Sequence, residues 1–240
     1  MIPDLLESRR VLCIQPHPDD ADIGAGGTLA RLVERGAEVI YLTVTDGTAG
    51  SDDPDQDPNQ LKLLRRGEQQ KALDVLGVPA ELVWLDYQDG YLSPSLTLRD
   101  TLINYIRQYQ PDLVLTVDPW LPYEAHNDHP VTGLMAAQAV MFASTPRIAP
   151  SSLPPHRVCA IGFFFSARPN TTVDVSTVWE QKLQAIQCHH SQFGSQWAEY
   201  KDFFDTQARS WGGPQGYARA EVFKVLTPLH LHCFPNAESS

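Results

Sequence analysis

Short apolar runs alternate with helical patterns over roughly the first 120 residues, and this alternation constrains the fold more than any other feature. Residues 11–15, VLCIQ, form an apolar run that ends in a polar cluster, as a strand buried on both faces does. Residues 28–35 carry Leu29, Leu32 and Val33 on one helical face and stop at Gly36. Residues 39–44 read as the next strand, and 61–76 as a longer amphipathic helix closed by Gly77. A strand at 82–85, a helix at 98–109 and a strand at 112–117 continue the pattern. The expected class is α/β: a Rossmann-like, doubly wound, mainly parallel sheet with helices on both faces.

The second half predicts a helix over 130–142, a Pro-rich connector at 146–155, a buried strand at 159–165, a helix at 178–189 and a strand at 220–226. No repeat or linker divides the chain, and 240 residues suffice for one large core, so a single domain over 1–240 is expected. The four cysteines, Cys13, Cys159, Cys188 and Cys233, form no CxxC pair and read as buried thiols. The N-terminus has no signal-like apolar run and no stretch reaches membrane-spanning length, which points to a cytoplasmic protein. A net charge of -11 argues against nucleic acid or an anionic membrane as partner.

In sheets of this kind ligands bind outside the carboxyl ends of the strands. Two chemically rich segments are expected there. His17-Pro-Asp19-Asp20 follows the first strand, and His17 and Asp20 can ligate a divalent metal while Asp19 stays free as a base. His126-Asn-Asp128-His129 follows the strand that ends at Val117. One of its histidines can ligate while the other contacts substrate, and Asp128 can orient an imidazole. Gly24, Gly26 and Gly27 do not make a dinucleotide fingerprint, because Leu29 stands where the third glycine belongs; close helix–sheet packing is the better account. The acidic loop at 46–59 lacks the glycine and glutamate of a calcium loop and reads as a solvated loop, open to closing over substrate or packing on a neighbouring subunit.

These segments resemble the PIG-L/LmbE-like zinc deacetylases. The resemblance is carried by Gln15-Pro-His17-Pro-Asp19-Asp20 with its glycine-rich helix start, by His126-Asn-Asp128-His129, by Arg65-x-x-Glu68, by Pro119-Trp-Leu-Pro-Tyr123-Glu, and by the stretch from Lys182 to Phe193. It implies zinc held by His17, Asp20 and His129, with Asp19 as general base. Arg65, Asp89 and His126 would contact sugar or stabilise the site, and Tyr123 would line the pocket or donate a hydrogen bond. A late histidine completes such sites; counting from Phe223 favours His232, with His230 two residues away. Within the family the motifs look most like the diacetylchitobiose deacetylases. That implies removal of acetyl from an N-acetylglucosamine unit of a small saccharide, and a homo-oligomer of up to six chains. Competing readings are a deacetylase of another N-acetylglucosaminyl conjugate, on a thiol precursor or a lipid, and a non-catalytic sugar-binding protein. The chain departs from many relatives at Asp22, where they carry Glu, and at Asn127, where they carry Pro; neither change removes a ligand.

Overall fold

A computed structural model describes residues 3–239. The expected alternation is present. In chain order the elements are β1 (Arg10–Gln15), α1 (Asp20–Glu34), β2 (Glu38–Thr45), α2 (Pro58–Leu76), β3 (Glu81–Tyr87), α3 (Leu96–Tyr109), β4 (Leu113–Val117), α4 (Asp128–Phe142), β5 (Ala160–Phe164), β6 (Thr171–Asp174), α5 (Trp179–Gln187), α6 (His190–Phe193), α7 (Trp197–Gly212) and β7 (Ala220–Leu226). The strands form one seven-stranded sheet in the order β3-β2-β1-β4-β5-β7-β6. Strands β1 to β5 pair in parallel, while β7 runs antiparallel to both β5 and β6.

The alternation of β1 shows why its sequence is uniformly apolar. Val11 and Cys13 face one core with Leu29 and Leu32 of α1, Leu73 and Leu76 of α2, and Leu183 and Ile186 of α5. Leu12 and Ile14 face the other, against Leu98 and Leu102 of α3 and Met135 and Val140 of α4. A strand covered on both faces has no polar side to present.

Local chemistry fixes the helix ends. The Asp57 side chain accepts the Gln60 N–H at 2.9 Å with Pro58 in the first turn, and Gly77 closes α2 in the left-handed conformation. Ser95 caps α3 through the Leu98 N–H.

Three features differ from expectation. Helix α1 begins at Asp20, eight residues before Thr28, because its glycines lower helix propensity yet are needed for packing. A Cβ at Gly24 would collide with the Phe164 ring, and one at Gly27 would lie 2.8 Å from Val175 Cγ1. The short strand β6 and the helix α7 were not foreseen. All four cysteines are free, but only Cys13 is buried; Cys159 and Cys233 are exposed, because both lie outside the strands and helices. No helix among the described residues is long and apolar enough to cross a membrane.

Candidate active site

The winding reverses between β1 and β4, so that a crevice opens beyond their carboxyl ends. The HPDD turn leaves β1 on one side of it, and the segment from Asp118 to Asp128 leaves β4 on the other.

Three carboxylates surround His17. Its Nε2 lies 3.1 Å from Asp128 Oδ2 and 3.1 Å from Asp89 Oδ1, while its Nδ1 lies 3.3 Å from Asp20 Oδ2. Nε2 thus faces two carboxylates and Nδ1 one, so Nδ1 is the nitrogen with fewer acids to displace when a metal takes the place of its proton. The second imidazole repeats the arrangement: His129 Nδ1 is 3.2 Å from Glu124 Oε2, and its Nε2 is 3.5 Å from Asp20 Oδ1. Asp20 therefore sits between His17 Nδ1 and His129 Nε2, and each ring is held from behind by acids.

Grouped by mutual donor distance, His17, His126 and His129 have ligating atoms within 4.8 Å of one another, as do His17, Asp89, His126 and Asp128. Asp20 belongs to neither group, although its two oxygens lie 3.3 Å from His17 Nδ1 and 3.5 Å from His129 Nε2. The hydrogen bonds at Nε2 favour Nδ1, and with it Asp20, as the outward-facing donor set.

Electrostatics fit a cation here. Burial works to lower the His17 pKa, but Asp128, Asp20 and Asp89 overcome it and hold the ring well above its ordinary value. Burial works to raise the Asp20 carboxyl, but the His129 and His17 rings hold it well below the usual carboxylate range. Asp89 and Asp128 are depressed as well, His17 again outweighing burial. A pocket that stabilises an imidazolium with three carboxylates is built for positive charge, and two imidazoles with a carboxylate are donors that suit a borderline metal.

The PIG-L family, described as GlcNAc-PI de-N-acetylase, matches residues 12–140. The chain belongs to the PIG-L family. It is 38% identical to a diacetylchitobiose deacetylase of Thermococcus kodakarensis, over 95% of this chain and 87% of that one. The solved N,N'-diacetylchitobiose deacetylase from Pyrococcus horikoshii superposes with a TM-score of 0.91 at 37% identity, covering 95% of this chain and 88% of its own. A probable N-acetyl-alpha-D-glucosaminyl L-malate deacetylase of Bacillus anthracis is 28% identical over 85% of this chain and 91% of its own.

In this PIG-L chain Asp19 is buried at the mouth of α1 with φ at 115°, a conformation that costs a non-glycine residue on the order of 1–3 kcal/mol. Burial pushes its carboxyl up to about 6, against the opposing pull of Arg65. Arg65 lies behind the turn: it donates to Pro18 O and Gly47 O at 3.0 Å each, and its Nη2 is 3.5 Å from Asp19 Oδ2.

Asp89 is likewise an inner residue, held by His17 and by the Ala49 N–H at 3.1 Å. Gln192 Nε2 bonds Gly50 O, so the front of the acidic loop is pinned to the site while its acidic tip stays in solvent. His126 is exposed, its ring stacked on His129 with centroids 5.2 Å apart and set edge-on to His17 at 4.6 Å. Tyr123 is fully exposed.

His232 does not join the cluster. It is exposed, and its ring's recorded contact is Cys233 Sγ at 3.9 Å. The reason is topological: β7 is antiparallel and pairs Leu226 with Ile161, at the amino end of β5, carrying the chain away from the crevice before His230 and His232. His230 instead bonds Thr227 Oγ1 and lines an apolar cavity of about 450 Å³ with Trp120, Leu134 and Met141.

Two contributors went unforeseen. Glu124 stands in the PWLPYE segment but was given no role, and His189 lies in the Lys182-to-Phe193 match, 167 residues from its partner Asp22.

Proposed function

We propose that the chain is a zinc-dependent hydrolase that removes the N-acetyl group from an N-acetylglucosamine unit of a small saccharide such as diacetylchitobiose, releasing acetate. The observation that carries this reading is Asp20 set between His17 Nδ1 and His129 Nε2, with Asp19 beside it and not engaged in the cluster. The similarity to the two diacetylchitobiose deacetylases supports the substrate.

His17, Asp20 and His129 would hold the metal. Zinc bound there supplies Lewis acidity, polarising the amide carbonyl and lowering the pKa of a water towards about 7. Asp19 takes the proton from the attacking water and passes it to the departing sugar amine; a carboxyl raised to about 6 suits both transfers near neutral pH. Among the described residues the His126 ring has no carboxylate partner. It faces solvent beside His129, where it can donate to the carbonyl oxygen as negative charge develops. Asp128, Asp89 and Glu124 hold the ligand rings, and Arg65 braces the turn that carries Asp19. Tyr123, on the rim, is open to the second sugar ring.

The test is acetate release from diacetylchitobiose and from N-acetylglucosamine, by zinc-loaded and chelator-stripped protein. Release that needs zinc and favours the disaccharide supports the reading. Release only from an N-acetylglucosaminyl malate would move the substrate to the conjugate class.

A further inference from the structure

Asp19 occupies the cap position of α1 yet makes no capping hydrogen bond with its side chain. An aspartate there ordinarily turns its carboxylate onto the N–H of the second or third helical residue. In this chain that donor is taken by another group: Gln15 Oε1 accepts the Ala21 N–H at 2.9 Å. The Asp19 N–H, at its positive φ, donates to Gln69 Oε1 at 3.3 Å. Two glutamines thus take up the Ala21 and Asp19 N–H groups, and the Asp19 carboxylate makes no bond to its own helix.

The glutamines are themselves locked. Gln15 Nε2 donates to Gln69 Oε1 at 2.8 Å and to Thr43 Oγ1 at 2.9 Å. Gln69 Nε2 donates to Asp22 Oδ2 at 2.7 Å. Flipping the Gln69 amide would set N–H against N–H on one side and oxygen against oxygen on the other, so its orientation is fixed. Asp22 Oδ2 also meets His189 Nε2 at 2.7 Å, and Asp22 Oδ1 accepts the Tyr41 hydroxyl at 2.8 Å. Gln15, Asp22, Gln69, Tyr41 and His189 are all fully buried. Of the His189 ring only Nδ1 has no hydrogen-bond partner among the described residues; a polar network at this depth costs desolvation that apolar side chains would not, and what it supplies in return is one geometry.

We propose that Gln15, Gln69 and His189 are positioning residues for Asp19. Gln15 is a surrogate cap that keeps the Asp19 carboxylate off its own helix. Gln69 holds the strained backbone, and His189, through Asp22, holds Gln69. This rests on Asp19 acting as the base.

The test compares Gln15→Leu, His189→Leu, His189→Gln and Asp19→Asn as zinc-loaded proteins assayed on diacetylchitobiose. With Gln15→Leu the Asp19 carboxylate turns in to cap α1. The expected result is a kcat lower by on the order of 10–100-fold, with KM and one zinc per chain unchanged. His189→Leu falls similarly, and His189→Gln, whose amide can still donate to Asp22, recovers most of the rate. A purely structural role would lower the melting temperature and leave the kcat of folded protein alone. Folded, zinc-loaded Gln15→Leu within two-fold of wild type overturns the proposal, and so does a His189→Gln no better than His189→Leu. An active Asp19→Asn removes the base assignment itself, whereas an inactive Asp19→Asn beside a fully active Gln15→Leu removes only the positioning role.

Discussion

Asp128 Oδ2 lies 3.1 Å from His17 Nε2 although 111 residues separate them, so the motif after β4 orients the imidazole of the motif after β1. Asp128 is fully buried and also accepts the Gly90 and Leu92 N–H groups at 2.7 and 3.0 Å. Asp128→Asn keeps the shape and removes the charge behind the ring. Zinc affinity should fall by roughly 10–100-fold in competition with a chromophoric chelator, while the fold is retained. Unchanged affinity would take Asp128 out of this role.

Lys182 and Glu221 form a buried pair at 2.5 Å that also ties α1, since Glu221 accepts the Gly27 and Thr28 N–H groups. Lys182→Met leaves the carboxylate without its counter-ion. Urea unfolding should show a loss of about 3 kcal/mol, with kcat per folded molecule unchanged. A loss near zero would mean that the helix donors alone carry Glu221.

His189 links stability to pH. Burial works to lower its pKa, but Asp22 outweighs burial and raises it. A raised folded pKa gives stability that is fully present below the unfolded value of about 6.5 and is lost as pH rises through the folded one. Metal-free wild type should therefore exceed His189→Gln most in melting temperature near pH 5–6 (roughly one unit below the unfolded value), and the gap should narrow above about pH 7. A constant gap would show that folding does not shift the titration of this ring.

Asp19 has the same sign over a lower pH window. Its carboxyl is raised by burial to about 6, so ionising it works against the metal-free native state as pH climbs from about 4 to about 6. Metal-free Asp19→Asn should melt higher than wild type at pH 7 and lack that decline. A carbon-13 titration of wild type should place the midpoint near 6 without metal, and lower once a divalent cation sits beside Asp20.

The placement of the two His/Asp segments was legible because each is a short stretch just past a strand end, where strand–helix alternation alone locates the crevice. Even the capacity of Asp128 to orient an imidazole could be read, though not which ring it serves. What escaped depends on contacts across the fold. Asp89 and Arg65 were expected to contact sugar or stabilise the site, and sequence does not choose between these; their burial behind His17 and Asp19 follows from how the loops after β2 and β3 fold inward. Within one chain His232 lies away from the cluster, and nothing in its segment reveals the antiparallel course of β7 that carries it there. Strand β6, Thr171–Asp174, is too short to show a period, and α7 buries only Phe204, Ala208 and Gly212, a stripe too sparse to stand out.

The most direct test of the central claim, that Asp20 holds metal between two imidazoles while its neighbour Asp19 moves the proton, is a paired measurement on Asp19→Asn: zinc per chain by elemental analysis and acetate released from diacetylchitobiose. One zinc per chain, with turnover reduced by at least about 100-fold, is the expected result. Full turnover, or loss of the zinc together with the activity, would contradict the division of labour between the two aspartates.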